Sequence, residues 1–351
     1  MEIGVRHEKQ KEIASVEIDI ILESSSSPDE IAELGSLAES CGLRAVWVSN
    51  MLDARDPFVN LSVLARSTDR IRLGPIAVSP FELHPLKMAS ALLTLNELSG
   101  GRTCIVIGGG GGTMWAMGLK AERMVRAVRE CVEILKQASK GERLEYEGEV
   151  FQVKGYNPFW AESSPPLIYI GANKETMFRM STEYADGIMV SDFTPPMLNE
   201  ALPLIQDGLA SAGKSMDDFR LNNFWAWHVK ESMDEAVKEA RQWLAVRGGL
   251  TRPYIDPILS KDDADFVAAN VRKFFEAMNK DTHVIEGVPD RILDTLVQEL
   301  TCTGTIAELD RQIEKLQALK EAGLNEIALR IYRDPASSIR LIGEKVAPAL
   351  I

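Results

Sequence analysis

Strand-like and helix-like segments alternate along almost the whole chain, and this constrains the fold more than any other feature. Residues 16–22 (VEIDIIL) alternate as a strand does and run into Glu23 and four serines. Ser27-Pro28-Asp29-Glu30 then reads as a capping box with proline at the first helical position. Ile31, Leu34, Ala38 and Cys41 follow at helical spacing, and Gly42 ends the helix. Further strands are predicted at 45–48, 71–78, 103–107, 167–170, 188–190, 224–229 and 326–331, with helices between them. Residues 144–153 interrupt the rhythm as a surface hairpin. Eight strands alternating with helices imply parallel pairing and close naturally into a (β/α)8 TIM barrel, with a doubly wound open sheet as the alternative. We expect one domain over residues 1–351. Residues 1–15 form an N-terminal extension, and residues 245–300 form an insertion before the last strand, read as a lid over the barrel mouth.

Composition excludes several functions. With 39 Lys plus Arg against 52 Asp plus Glu, the net charge is −13, which disfavours nucleic acid and anionic membranes as partners. Four cysteines and four histidines show no C-x-x-C, H-x-H or H-E-x-x-H spacing, so no metal site is read. No window approaches ~18 uninterrupted apolar residues, and no signal-peptide core stands near the start. The expectation is a soluble cytoplasmic protein acting on a small molecule.

In a barrel of this class, function sits in loops at the C-terminal ends of the strands. The run Gly108, Gly109, Gly110, Gly111 and Gly112, followed by Thr113, can bring backbone N–H groups close to a phosphate, or can serve as a strand-to-helix turn. It is neither a Walker motif nor a G-x-G-x-x-G fingerprint. Gly171, Ala172 and Asn173 open a helix that suits an anion, or supply an asparagine cap. Glu23 and Asp53 are rim carboxylates able to move protons. His84 reads as a cap more than as an acid. Trp225 and Trp227 share one face of a strand, as a ring-packing surface or as core.

The stretch IRLGPIAVSPFELHPLKMASALLTLNELSGGRTCIVIGGGGG resembles the luciferase-like hydride-transferase and monooxygenase family, as do LEYEGEVFQVKG, IYIGAN with YADGIMVS, and the tail GLNEIALRIYRDPASSIRLIGEKVAPAL. Within it, ALPLIQDGLASAGKSMDDF is similar to a helix and turn of methylenetetrahydromethanopterin reductases. The resemblance implies a hydride-transferring oxidoreductase using coenzyme F-420 (F420), with a flavin mononucleotide (FMN) monooxygenase as the alternative, and a homodimer. It implies a non-proline cis peptide at Ile76–Ala77 behind the cofactor ring. It assigns Asn50, Ile76, Ala77, Gly108 to Thr113, and Gly171 to Asn173 to the cofactor. Asn50 and Glu23 are the catalytic candidates, and Trp227 and Arg330 the substrate contacts. The chain departs from the family pattern at Ile21, Met51 and Thr113, where acids or a histidine are usual. These departures motivate a third reading, a barrel that has lost catalysis and acts as a binding subunit.

Overall fold

The computed structural model describes residues 15–111, Met114 and residues 116–350. Eight parallel strands form the barrel among these residues: β1 (Glu17–Leu22), β2 (Ala45–Ser49), β3 (Arg72–Ile76), β4 (Cys104–Ile107), β7 (Leu167–Gly171), β8 (Gly187–Ser191), β9 (Arg220–Lys230) and β11 (Glu326–Ile331). Each matches a strand expected from the sequence. Around the barrel they run in the order β3-β2-β1-β11-β9-β8-β7-β4. The circle closes between β3 and β4 through two bridges, Leu73 with Thr103 and Val78 with Ile107. The expected hairpin is β5 (Leu144–Glu147) against β6 (Gln152–Tyr156), antiparallel. The capping box forms as expected, with the Ser27 hydroxyl accepting from the Glu30 N–H and the Glu30 carboxylate accepting from the Ser27 N–H.

Two features differ from expectation. A ninth strand of the same sheet, β10 (Thr301–Thr305), pairs in parallel with the upper half of β9. Its sequence, TCTGT, is too short and too polar to signal a strand by alternation. Residues 244–300 fold mainly into helices Lys261–Asn279 and Asp290–Leu300, which bury an apolar cluster of their own that includes Leu250, Ile255, Phe274 and Leu296. None of the described helices is long and apolar enough to cross a membrane.

The base of the barrel is polar. Asp19 and Glu326, both fully buried, share the guanidinium of Arg44, which lies 2.7 Å from Glu326. Trp47 and Asn222 each donate to Asp19 at 2.8 Å, and Arg220 pairs with Glu326 at 2.6 Å. Burial raises the pKa of Asp19 to about 6, against the pull of Arg44. A carboxyl raised on folding adds stability below its unfolded pKa and loses it as pH rises through the folded one. Wild type is therefore expected to lose stability relative to Asp19→Asn as pH rises from about 4 to 7. Paired urea titrations at the two pH values check this, and a constant difference would refute it.

Candidate functional site at the barrel mouth

Most strand residues are buried, yet Ile76, Gly171, Ser191 and Phe224 are half-exposed, and Ala77 is exposed. Four of them lie at or just past the C-terminal ends of their strands, and Phe224 faces inward midway along the long β9. Together they outline an opening at the barrel mouth, the end at which barrels of this kind carry function.

One wall is the seam between β3 and β4. The Ile76–Ala77 peptide bond is cis, at the position expected. Regular pairing resumes at once, with the Val78 N–H donating to Val106 O at 2.9 Å and the Gly108 N–H to Val78 O at 3.0 Å. A Cβ on Gly108 would stand 3.1 Å from the Ala77 Cβ, and one on Gly171 would stand 4.0 Å from the Gly108 Cα. Ala77, Gly108 and Gly171 thus form a continuous surface almost free of side chains. Gly110 has φ +95°, a conformation that favours glycine. Gly109, Gly110 and Gly111 continue the same loop, whereas the expected sites Gly112 and Thr113 lie outside the described residues.

Asn50 ties this wall to β2. Its backbone N–H donates to Ile76 O at 2.7 Å. Its side-chain amide donates to Ala77 O at 3.1 Å and to the Glu82 carboxylate at 2.8 Å. Asn173 does not cap a helix. Its Oδ1 accepts from the Ser191 N–H at 3.1 Å and so links the loops after β7 and β8, while Ala172 is buried beneath them. His84 does cap a helix, its Nδ1 accepting from the Leu86 N–H at 3.1 Å.

The barrel order places β9 four strands from β3, on the opposite side of the mouth. Phe224, Ala226 and His228 point inward there. Trp225 and Trp227 point outward into the shell between sheet and helices, with Trp227 paired in register with Cys302 and 1% exposed. This corrects the expected placement of Trp227 against the substrate. Strand alternation was read properly, but the inward set was the other one. The signal was the polar pair Asn222 and His228, which share the parity of Phe224 and suit a barrel interior better than the helix-covered face.

Arg330 does reach the mouth. Its guanidinium lies 2.6 Å from Glu23 and 5.5 Å from the centre of the Phe224 ring. The Ser49 hydroxyl donates to the other Glu23 oxygen at 3.4 Å. Three residues of this wall went unread in the sequence. Asp192 and Arg247, both fully buried, pair at 2.7 Å, and Arg247 also donates to the Tyr332 hydroxyl at 2.7 Å. Burial raises the pKa of Asp192, and Arg247 opposes the rise. This pair bolts the start of the 244–300 segment to the loop after β8. His228 stacks on Tyr332 with centroids 5.0 Å apart and meets Glu239 at 3.2 Å. Burial lowers its pKa, so the ring is neutral at neutral pH. No cluster of three metal-ligating side chains occurs among the described residues.

The 5,10-methylenetetrahydromethanopterin reductase of Archaeoglobus fulgidus is 31% identical over 319 residues, covering 90% of this chain and 93% of that one. The F420-dependent tetrahydromethanopterin reductase of Methanopyrus kandleri superposes with a TM-score of 0.80 at 24% identity, covering 96% of this chain and all of that one. An F420-dependent secondary alcohol dehydrogenase, solved with an F420–acetone adduct, superposes with a TM-score of 0.76 at 18% identity, covering 96% of this chain and all of that one. A family model described as luciferase-like monooxygenase matches residues 13–326, from before the first barrel strand to the start of the last, and the chain belongs to that family.

Proposed function

We propose that this protein is an oxidoreductase that binds F420 in the barrel mouth and moves a hydride to or from a small organic substrate. The observation that carries the reading is the surface made by Ala77, Gly108 and Gly171, which leaves room for a planar ring where a Cβ would intrude. The bound deazaflavin supplies the carbon that gives or takes the hydride. The chain's own part is to hold and enclose. Gly109 to Gly111 bring backbone N–H groups to the mouth for an anionic tail, whereas the Gly108 N–H is spent on Val78 O. Asn50 uses its amide hydrogens on Ala77 and Glu82, which leaves its Oδ1 to accept from a ligand N–H.

Across the mouth, Phe224 and the Glu23–Arg330 pair make the wall a substrate would meet. Arg330 holds Glu23 in place, so Glu23 serves better to orient a substrate than to exchange a proton. The 244–300 segment, bolted on by Arg247, encloses this side as a lid. The named activities of the A. fulgidus reductase and the alcohol dehydrogenase support C–N and C–O substrates as the first classes to screen. The family resemblance also supports a homodimer.

Equilibrium titration of the purified protein with F420 and with FMN tests the reading. Micromolar or tighter F420 binding, with weaker FMN binding, is expected. Gly108→Val is expected to weaken F420 binding about tenfold or more, because its methyls enter the ring surface. Preference for FMN would move the protein to the oxygen-using branch. Binding of neither would favour a barrel without catalysis.

A further inference from the structure

We propose that Glu82 is the residue that exchanges a proton with the substrate in the barrel mouth, an inference that rests on the hydride-transfer reading above. Glu82 lies in the loop after β3, and its backbone N–H donates to Ser79 O at 3.1 Å. One side-chain amide group, Asn50 Nδ2, binds both its carboxylate at 2.8 Å and Ala77 O at 3.1 Å. The carboxyl is thereby fixed beside the cis bulge that forms the proposed ring surface.

Its surroundings set it apart from the other acids of the mouth. Glu23 is paired with Arg330, Asp192 with Arg247, and Glu239 with Lys230. Each of those carboxylates would have to give up a cation to take a proton. Glu82 has no cationic partner among the described residues, only an amide. His84, on the same loop, turns its Nδ1 to Leu86 and its ring to Phe151. Asp53 is exposed on the rim. Burial raises the pKa of Glu82, and the Asn50 hydrogen bond opposes that rise. A half-buried acid raised in this way holds its proton to a higher pH than an exposed glutamate, which suits it to proton exchange.

The step balances as follows. When a substrate C=O or neutral C=N carbon accepts a hydride, the π pair moves to oxygen or nitrogen. In the N–CH2–N bridge of methylenetetrahydromethanopterin one C–N bond breaks as the carbon accepts the hydride, and the pair of that bond goes to the released nitrogen. The Glu82 O–H gives that atom its proton, and water reprotonates the carboxylate. In oxidation the carboxylate takes the N–H or O–H proton as the hydride leaves carbon.

Glu82→Gln and Glu82→Asp, compared with the wild type, test this. Infrared difference spectra of wild type minus Glu82→Gln, from about pH 4 to 8 without cofactor, isolate the Glu82 carboxyl stretch. A protonated band persisting above the ordinary glutamate range is expected. Glu82→Gln should bind F420 about as tightly as wild type. It should reduce methylenetetrahydromethanopterin or acetone with reduced F420 about 100-fold more slowly or worse, with Glu82→Asp restoring part of the rate. A band that titrates in the ordinary range or lower overturns the proposal, and so does unchanged turnover in Glu82→Gln. If the wild type reduces neither probe, the infrared titration decides. Failure of the wild type to bind F420 would instead sink the hydride-transfer reading, and the infrared result would still judge Glu82.

Discussion

Gly74→Ala is expected to destabilise the protein by about 3 kcal/mol or more and to spoil the mouth with it. Gly74 sits on β3 where that strand meets β4, and an added Cβ would stand 1.8 Å from the Cys104 carbonyl oxygen and 2.6 Å from its carbon. Both atoms are backbone, so no side chain can swing aside and the strands must part. This seam has little to spare, because only two bridges join β3 to β4. The same seam carries the Ile76–Ala77 bulge and leads into Gly108, so parting it displaces the surface proposed to hold the cofactor. Gly111→Ala is the control, since its Cβ would meet nothing within 4 Å. Urea unfolding should separate the two variants clearly, and F420 titration of Gly74→Ala should show weakened binding. Equal midpoints for Gly74→Ala and wild type would mean that the barrel closes differently.

Arg247→Met is the second large effect. It leaves the Asp192 carboxylate fully buried with only the Gly248 N–H, at 3.0 Å, and the Ser191 hydroxyl, at 3.0 Å, as donors. Removing one partner of such a pair costs about 3–5 kcal/mol, chiefly through the uncompensated charge left behind. The loss should be local as well as global. Arg247 and Gly248 are the points at which the 244–300 segment grips the loop after β8, so limited proteolysis should open the chain near residues 244–260. Combining Arg247→Met with Asp192→Asn removes the stranded charge, and asparagine tolerates the φ of +57° at that position. The double variant should recover at least half of the lost stability, and a purely additive loss would show that the two side chains act separately.

The barrel strands were legible because all but β9 are short and bounded by turn signals, and because helices between them carry caps and one-sided apolar faces; of the long β9 only residues 224–229 were read. Ile76, Ala77 and the glycine run were legible for another reason: they are backbone features tied to a contiguous motif. Arg330 was singled out because it stands at a strand end, where barrel function gathers, and its guanidinium lies beside Glu23 and Phe224. Trp227 was misplaced because alternation gives two faces without saying which is inside. That choice depends on what covers the outside, here the helical shell and β10.

Asp192, Tyr332 and Glu82 stand in loops at strand ends but nothing in the sequence singled them out, and Arg247 left no signal. Asp192, Arg247 and Tyr332 come from the loop after β8, an inserted segment and the end of β11. Their spacings of 55 and 85 residues mean nothing until the chain folds. Glu82 looks in the sequence like any loop acid, and only its hydrogen bond to Asn50 and its lack of a cation distinguish it. The sequence by itself determined the order of strands and helices and the parallel closure, because propensity, capping and periodicity are local; the place of the bulge came from the family resemblance. Only the tertiary structure decided which strand face looks inward, which charges are paired and which acid is left free to titrate. Those depend on burial and on partners brought together across the barrel.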